Sequence, residues 1–535
     1  MIYKSIILII CINMLNNSIL SQNIYKNNSF ELAWGEMTKS PGSLLEILPK
    51  QDKSFYSLRW SGGRAFGTYR IVDHNNLLQT NQSRIKQVAA AGIANFETAH
   101  YIDNQLYIFL SDKVDGRLVL FAQPYSQDLK PDGSCVKVAS YKIPKLNAKA
   151  NFKIIIAQNN KYIGIIWEVP GRKTISDSYG YVILNNQLHD IRHGDYKIPI
   201  NGNLTSINEY HVSSNGDLFI GVTEHKRPKD KIFTKPYQNF KALHVYKIRD
   251  NELTEFSLIL DNKRIDNISI SSNDKGDFTL SGIYGISDPN ENRRNHKVEG
   301  VFIIRIDISV DSILFKGFIP FKKDFINMNF NVKSTFRSKR NKKRAQELYN
   351  YKIRDIFMLD DGGIVGSIEQ YYISERSSYD SRTGLTSTIY YYYYDDIIAF
   401  KIGNNASFEW QKKINKSQIS TNDGGPFSSY SSFTNGKKIF FIFNDNLKNY
   451  NENGKFIKTD GNCYSFNLSR RKNVAAITEI DIESGMKLRS MLFSRKDLKS
   501  IVVPKMFKLD PETNNLLLYS LLGGNERFGI LKFFK

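Results

Sequence analysis

Short apolar runs separated by Asn, Asp and Gly turns recur along almost the whole chain. Asp103-Asn104 divides Ala99-His100-Tyr101-Ile102 from Leu106-Tyr107-Ile108-Phe109. Asn215-Gly216-Asp217 precedes Leu218-Phe219-Ile220, Lys275-Gly276-Asp277 precedes Phe278-Thr279-Leu280, and Asp360-Asp361-Gly362-Gly363 precedes Ile364-Val365. Gly and Asn supply the positive φ of tight hairpins, and flanks that alternate or run apolar read as strands of a packed sheet. Further apolar or aromatic strands follow at 67–72, 118–121, 180–184, 244–248, 301–306, 397–402 and 474–480. Spaced by roughly 50 to 95 residues, they predict an all-β chain, a β-propeller of about seven four-stranded blades, with six or eight also compatible.

Three segments stand outside this rhythm. Residues 337–349 carry Arg337, Lys339, Arg340, Lys342, Lys343 and Arg344 followed by Ala345-Gln346-Glu347-Leu348; good helix formers without Pro or Gly predict a short basic helical insertion between blades. The polar stretch at 374–390 runs into Tyr390 to Tyr394 and predicts a protruding hairpin. The apolar ends Leu516-Leu517-Leu518-Tyr519 and 528–534 would form an exposed edge unless paired, so they are expected to close the ring against strands around Ser54 to Trp60.

The N-terminus changes the picture of where the chain works. Lys4, an apolar run from Ile6 to Ile12 and a small residue at Ser21 predict a signal peptide over 1–21, leaving 22–535 as one exported domain, periplasmic, on the outer surface or secreted. The run is too short to span a membrane. Cys11 raises a lipoprotein signal, but Ile10 stands where that signal wants a small residue. Cys135 and Cys463 are too few to staple so long a chain, so the fold must rest on a buried core, and their separation predicts free thiols. Aromatic residues at 13% with only 14 prolines favour strands. The formal net charge of +21 accompanies an Ile-, Asn- and Lys-rich composition, and no nucleic-acid motif is present, so nucleic acid is not an expected partner.

Candidate chemistry is sparse. His189 and His193 have the spacing of a helical metal pair, but the turn residues around them take the pair off a helix. Asn449, Asn451, Asn453 and Gly454 with Asp460 imitate a weak Ca2+ loop, yet offer mostly neutral amides, so a polar turn is the plainer reading. The adjacent acids Asp360/Asp361 and Asp395/Asp396 would point to opposite faces of a strand and make no glycosidase pair by themselves. No cofactor or metal is expected. Two groups remain as contact candidates. Tyr371, Tyr372, Tyr392, Tyr394 and Trp410 could offer flat rings to a ligand, although strand tyrosines also pack between blades. Arg337, Lys339, Arg340, Lys342, Lys343 and Arg344 could meet an anionic partner.

The block Asp361-Gly362-Gly363-Ile364-Val365 through Glu369-Gln370-Tyr371-Tyr372, with Asp395-Asp396-Ile397, Trp410-Gln411-Lys412-Lys413-Ile414 and Asn444-Asp445-Asn446, resembles exported propeller-type proteins of Gram-negative bacteria; its Gly-Gly doublet also resembles kelch blades. The resemblance covers 351–450 best and implies a fold rather than an activity. The expectation for function is a binding or scaffold protein of the cell envelope, its loops holding an envelope protein or anionic glycan. The alternative is a polysaccharide-acting hydrolase or lyase with acids gathered in a central channel.

Overall fold

Asp103-Asn104 and Asp250-Asn251 each place both residues at positive φ, 48° and 63°, 51° and 66°. Such mirror-image turns match the twist of the strands they join. They connect Asn95–Ile102 to Gln105–Val114 and Phe240–Arg249 to Glu252–Leu258. Repetition of this antiparallel meander builds the molecule. The computed structural model describes residues 23–534 apart from 27–28, 51–53, 64–66, 90–91, 143–151, 170–177, 229–238, 259, 261, 274–276, 287–296, 308–309, 331–347, 459–462, 467, 469–471 and 511–512. The expected signal peptide with Cys11, the turn at Lys275-Gly276, Asp460 and the six basic residues from Arg337 to Arg344 lie outside the described residues.

Seven antiparallel sheets follow one another: blade 1 (43–84), blade 2 (95–142), blade 3 (152–197), blade 4 (205–258), blade 5 (263–320), blade 6 (351–414) and blade 7 (430–494). Within each, four strands a to d pair in chain order, and first strands of neighbouring blades lie against one another around the centre. An eighth sheet combines both ends of the chain. Ile501–Val502, Leu516–Leu522 and Asn525–Phe533 supply its inner strands, while Phe30–Trp34 and then Asn23–Lys26 form its outer edge. Phe30 pairs with Phe533 and Leu32 with Leu531.

The propeller therefore has eight blades. The seven repeat strands read from the sequence are the c strands of blades 1 to 7; the eighth, Asn525–Phe533, is paired across the termini. The expected closing partner at 54–60 is corrected. Those residues belong to strand b of blade 1, and Phe30–Trp34 closes the eighth sheet instead. Leu348, expected at the end of a basic helix, is in the short strand Leu348–Tyr349, which pairs with Lys297–Val298; the described helix of this connection is Lys323–Phe330.

Packing explains why the ring holds. Each buried apolar cluster joins two consecutive blades: blades 1 and 2 share Leu58, Ile71, Leu106 and Ile108, and blades 6 and 7 share Ile397, Ala399, Ile439 and Phe441. The circuit continues through Phe30, Leu32 and Trp34 against Phe433 and Phe440, then Leu517, Tyr519 and Phe528 against Ile47 and Phe55. Burial at roughly 25 cal/mol per Å2 of apolar surface makes these faces the main stabilising term.

Blade 8 is also clamped to blade 1 by charge. Arg59 donates to Glu526 through both terminal nitrogens at 2.6 and 2.8 Å, with the side chains 0% and 2% exposed. Tyr519 donates to the same carboxylate at 2.9 Å. Arg59 Nε donates to Ser57 at 2.9 Å, and Ser57 lies 2.9 Å from His74 Nε2.

Candidate functional site

Chain direction places all a–b and c–d turns at one end of the propeller and all b–c and d–a connections at the other. The longest connections, at 226–239, 287–299, 321–350, 415–429 and 447–472, leave from that second end. It also carries the b–c hairpin of blade 6, formed by Ile364–Asp380 and Leu385–Ile402. Its pairing with strand a stops at Tyr351↔Gln370, and with strand d at Ile397↔Ile414. Residues 371–380 and 385–394 therefore run on past the blade by roughly 30 Å, at about 3.4 Å per residue. Gln418–Thr421 pairs with Tyr391 to Tyr394 and stiffens the base.

Alternation along the hairpin sorts its side chains. Tyr371 opposes Tyr394, Ile373 opposes Tyr392 and Glu375 opposes Tyr390 on one face; Tyr372/Tyr393, Ser374/Tyr391 and Arg376/Ile389 share the other. The Tyr372 and Tyr393 rings stack at 4.6 Å and 8°, and Arg376 sits 5.3 Å from the Tyr391 ring centre. Ile373 is 50% exposed and Tyr379 67% on the first face, and Leu385 is 70% exposed on the other, apolar side chains without a covering layer among the described residues.

The five aromatic candidates do not form one platform. Tyr371 and Tyr372 are half-buried at the hairpin base and Tyr392 is half-buried further out. Tyr394 is buried, donating through its hydroxyl to Gly424 O at 2.8 Å. Trp410 is corrected as a contact residue. It lies buried between blades 6 and 7, and its indole N–H donates to Ile482 O at 2.8 Å. A strand-d ring that faces the next blade is core.

Beneath the hairpin base lies a buried charge network. Glu369, fully buried, accepts from Arg354 Nε and Nη2 at 2.9 and 2.6 Å, from Lys416 Nζ at 2.9 Å and from Ser429 at 2.8 Å. Burial alone would raise its pKa, but Lys416 and Arg354 hold the carboxyl below the usual range. Lys416 also donates to Tyr394 O at 2.7 Å and so anchors the tyrosine strand. At the rim, Lys352 and Lys505 stand over tyrosine rings, 4.6 Å from the Tyr371 centre and 4.5 Å from that of Tyr394. Both ammonium groups are pushed below the usual lysine range, chiefly by burial. The network was not legible beforehand, since its members come from strands a and b and the 415–429 connection.

A second feature, not predicted from the sequence, lies on the first strands of the blades. Inner strands of blades 1, 2, 4, 5 and 6 carry a bulge at the same place, between Leu44/Glu46, Phe96/Thr98, Ile207/Asn208-Glu209, Ile265/Asn267 and Ile353/Asp355. Glu97, Glu209, Asp266 and Asp355 sit at or beside these bulges. Glu209 accepts from Ile270 N of the next blade at 3.0 Å, Asp355 accepts from Ser432 of the next blade, and Glu97 accepts from Ser111. Burial raises the Glu209 pKa to about 7 and pushes Glu97 and Asp355 upward as well. The available signal is an acid recurring in the first half or middle of the first strands of blades 2, 4, 5 and 6.

The remaining motifs resolve into local structure. His193 Nδ1 lies 2.8 Å from Asp190, its neighbour on an exposed strand. Asn449 is tied to Asp445 and Tyr464, and Asn451 accepts from Lys455 N. Asp361 caps its own turn by accepting from Gly363 N at 2.8 Å. Asp396 pairs with Lys413 at 3.0 Å, while burial lifts Asp395 to about 6. Among the described residues, no group of three or more His, Cys, Asp or Glu gathers as metal ligands would.

This is a β-propeller whose irregular features are concentrated at one end. Neither a protein-family model nor a curated protein matches the sequence. Among solved structures it is similar to prolyl oligopeptidase B from Galerina marginata (10% identity, TM-score 0.38, covering 89% of this chain and 54% of that one). It is also similar to the WD40 domain of SCAP from fission yeast (9%, 0.37, 96% and 98%) and to the β-propeller domain of the trilobed protease from Pyrococcus furiosus (9%, 0.32, 69% and 96%). The chain spans about half the length of the oligopeptidase. At such identities the likeness concerns the fold alone.

Proposed function

We propose that this chain is an exported binding or scaffold protein of the cell envelope, which holds a protein or glycan partner on the end bearing the long connections. The observation that carries this reading is the blade 6 hairpin, which projects exposed Ile373, Tyr379 and Leu385 beyond the ring. Exposed apolar side chains on a rigid projection are a common feature of interaction surfaces. The basic run from Arg337 to Arg344 belongs in sequence to the blade 5–6 connection at the same end, and adds attraction for an anionic partner. Among the described residues no helix is long and apolar enough to cross a membrane.

The alternative, a hydrolase or lyase acting on polysaccharide in the channel, would draw on Glu97, Glu209 and Asp355. Glu209, raised to about 7, has the protonation of a general acid. Its carboxylate is occupied, however, by the Ile270 N–H of the neighbouring blade, as Asp355 is by Ser432. These bonds tie inner strands together. The test is to replace 373–390 by a tight Asn-Gly turn, which leaves the four-stranded blade intact. Binding to envelope fractions should be lost while the melting temperature stays within a few degrees. Unchanged binding by the shortened protein would exclude the hairpin as the contact element.

A further inference from the structure

The face of the hairpin that carries Tyr371 and Tyr394 runs without a break from the cationic rim to the exposed strip. At its inner end Lys352 lies 4.6 Å and Arg354 6.0 Å from the Tyr371 ring centre, and Lys505, from blade 8, reaches Tyr394 with its ammonium 3.1 Å from the hydroxyl. Glu369 answers Arg354 and Lys416 together. Among the described residues neither Lys352 nor Lys505 has a carboxylate at ion-pairing distance; Asp355 is bound to Ser432, and Asp423 accepts from Gly425 N. Further out on the same face, Ile373 and Tyr392 form an apolar step and Glu375 with Tyr390 ends the strip.

We infer that this face binds an extended acidic peptide, with a carboxylate of the peptide seated among Lys352, Arg354 and Lys505 and its alternate apolar side chains laid on Tyr392 and Ile373. The spacing favours a peptide over a glycan. Same-face residues of the hairpin repeat every two positions, about 6.8 Å, which is the repeat of same-side chains in any extended polypeptide. The ring faces of Tyr371 and Tyr394 are already covered by ammonium and guanidinium groups, so they serve as a floor that holds cations in place rather than as stacking surfaces for sugar. Charge fixes the end of the peptide and the strip fixes its direction, a division of roles usual in peptide recognition.

The inference rests on the long-connection end being the binding face, and the test separates the two. The probe is a fluorescein-labelled peptide of about ten residues, alternating Leu and Thr, ending in two aspartates, a length that covers the strip at about 3.4 Å per residue. Its twin ends in two asparagines and an amide, and a polygalacturonate oligosaccharide is the glycan arm. Anisotropy should show the acidic peptide binding, with K352Q/K505Q weakening it roughly tenfold and I373S severalfold, and with a salt dependence smaller in the double variant than in the parent. R354K keeps a charge beside Glu369 and tests the third cation without unpairing the buried carboxylate. Equal binding of the amidated twin, or unchanged affinity in K352Q/K505Q at an unchanged melting temperature, overturns the inference. So does binding of the oligosaccharide without the peptide. If the shortened hairpin loses envelope binding while K352Q/K505Q keeps it, the binding face stands and the peptide site falls; if both variants keep it, both readings fall.

Discussion

Removing Glu526 tests whether charge, as well as apolar packing, locks the ring. In the E526A protein the Arg59 guanidinium loses two hydrogen bonds of 2.6 and 2.8 Å while remaining fully buried, and Tyr519 loses its acceptor. Each charge-assisted bond contributes about 1.5–3 kcal/mol, but the three share one carboxylate and do not add. The better guide is the cost of stranding one partner of a buried ion pair, about 3–5 kcal/mol. Replacing both partners by apolar residues, R59M/E526L, removes the stranded charge and should recover most of that loss. Urea titration followed by tryptophan fluorescence reads the midpoint, Trp34 lying in the blade 7–8 core beside the closing strands. The midpoint of E526A should fall well below the parent, and the cycle of R59M, E526L and R59M/E526L should show a coupling of at least about 2 kcal/mol. A single variant within about 0.5 kcal/mol of the parent, or a double variant whose loss is the sum of the two singles, would refute the clamp.

Three further outcomes follow from buried groups. Burial holds His74 near pKa 3 and His100 and His211 near 4, all below the unfolded value. The stability they contribute is complete above about pH 6.5 and is lost as pH falls toward 4, because the unfolded chain takes up protons first; the urea midpoint of the parent relative to an H211Q variant should therefore decline from pH 7 to 4, and a pH-independent difference would contradict a neutral buried imidazole. Glu209 has the opposite sign: its raised pKa favours the protonated form, so the parent loses stability as pH rises through about 7, and E209Q should melt higher than the parent at pH 8 and equally at pH 4. W410F should cost about 1–2 kcal/mol through the lost bond to Ile482 O and leave partner binding unchanged, which calorimetry and anisotropy check separately.

How much of this could be read from residues depends on whether the signal is local. The c strands of blades 1 to 7 are visible because each contains a run of apolar and aromatic residues that is largely buried between neighbouring blades. The eighth, within the expected range, is harder to read because its d strand, Phe30–Trp34, is separated from its c strand by nearly the whole chain. The same separation misdirected the closing contact to 54–60. Those residues do meet blade 8, through Arg59 and Phe55, but across a blade interface rather than a ladder. Trp410 and the exposed tyrosines look alike in sequence; only the facing of strand d toward Gly485 and Ile482 separates them. The Glu369 network joins residues from 354 to 429 by side-chain geometry, for which no periodicity exists.

Photo-crosslinking in the native host tests most directly that partners are held at the long-connection end. A benzoylphenylalanine placed singly at Tyr379, Leu385 or Tyr390 on the hairpin, and at Asn104 or Asn251 on the tight turns of the opposite end, probes both ends, with the melting temperature of each variant confirming the fold. Discrete adducts should form from the hairpin positions and not from the turns. Adducts from Asn104 or Asn251 alone, or none from the three hairpin positions while the protein is folded and exported, would contradict a partner held there.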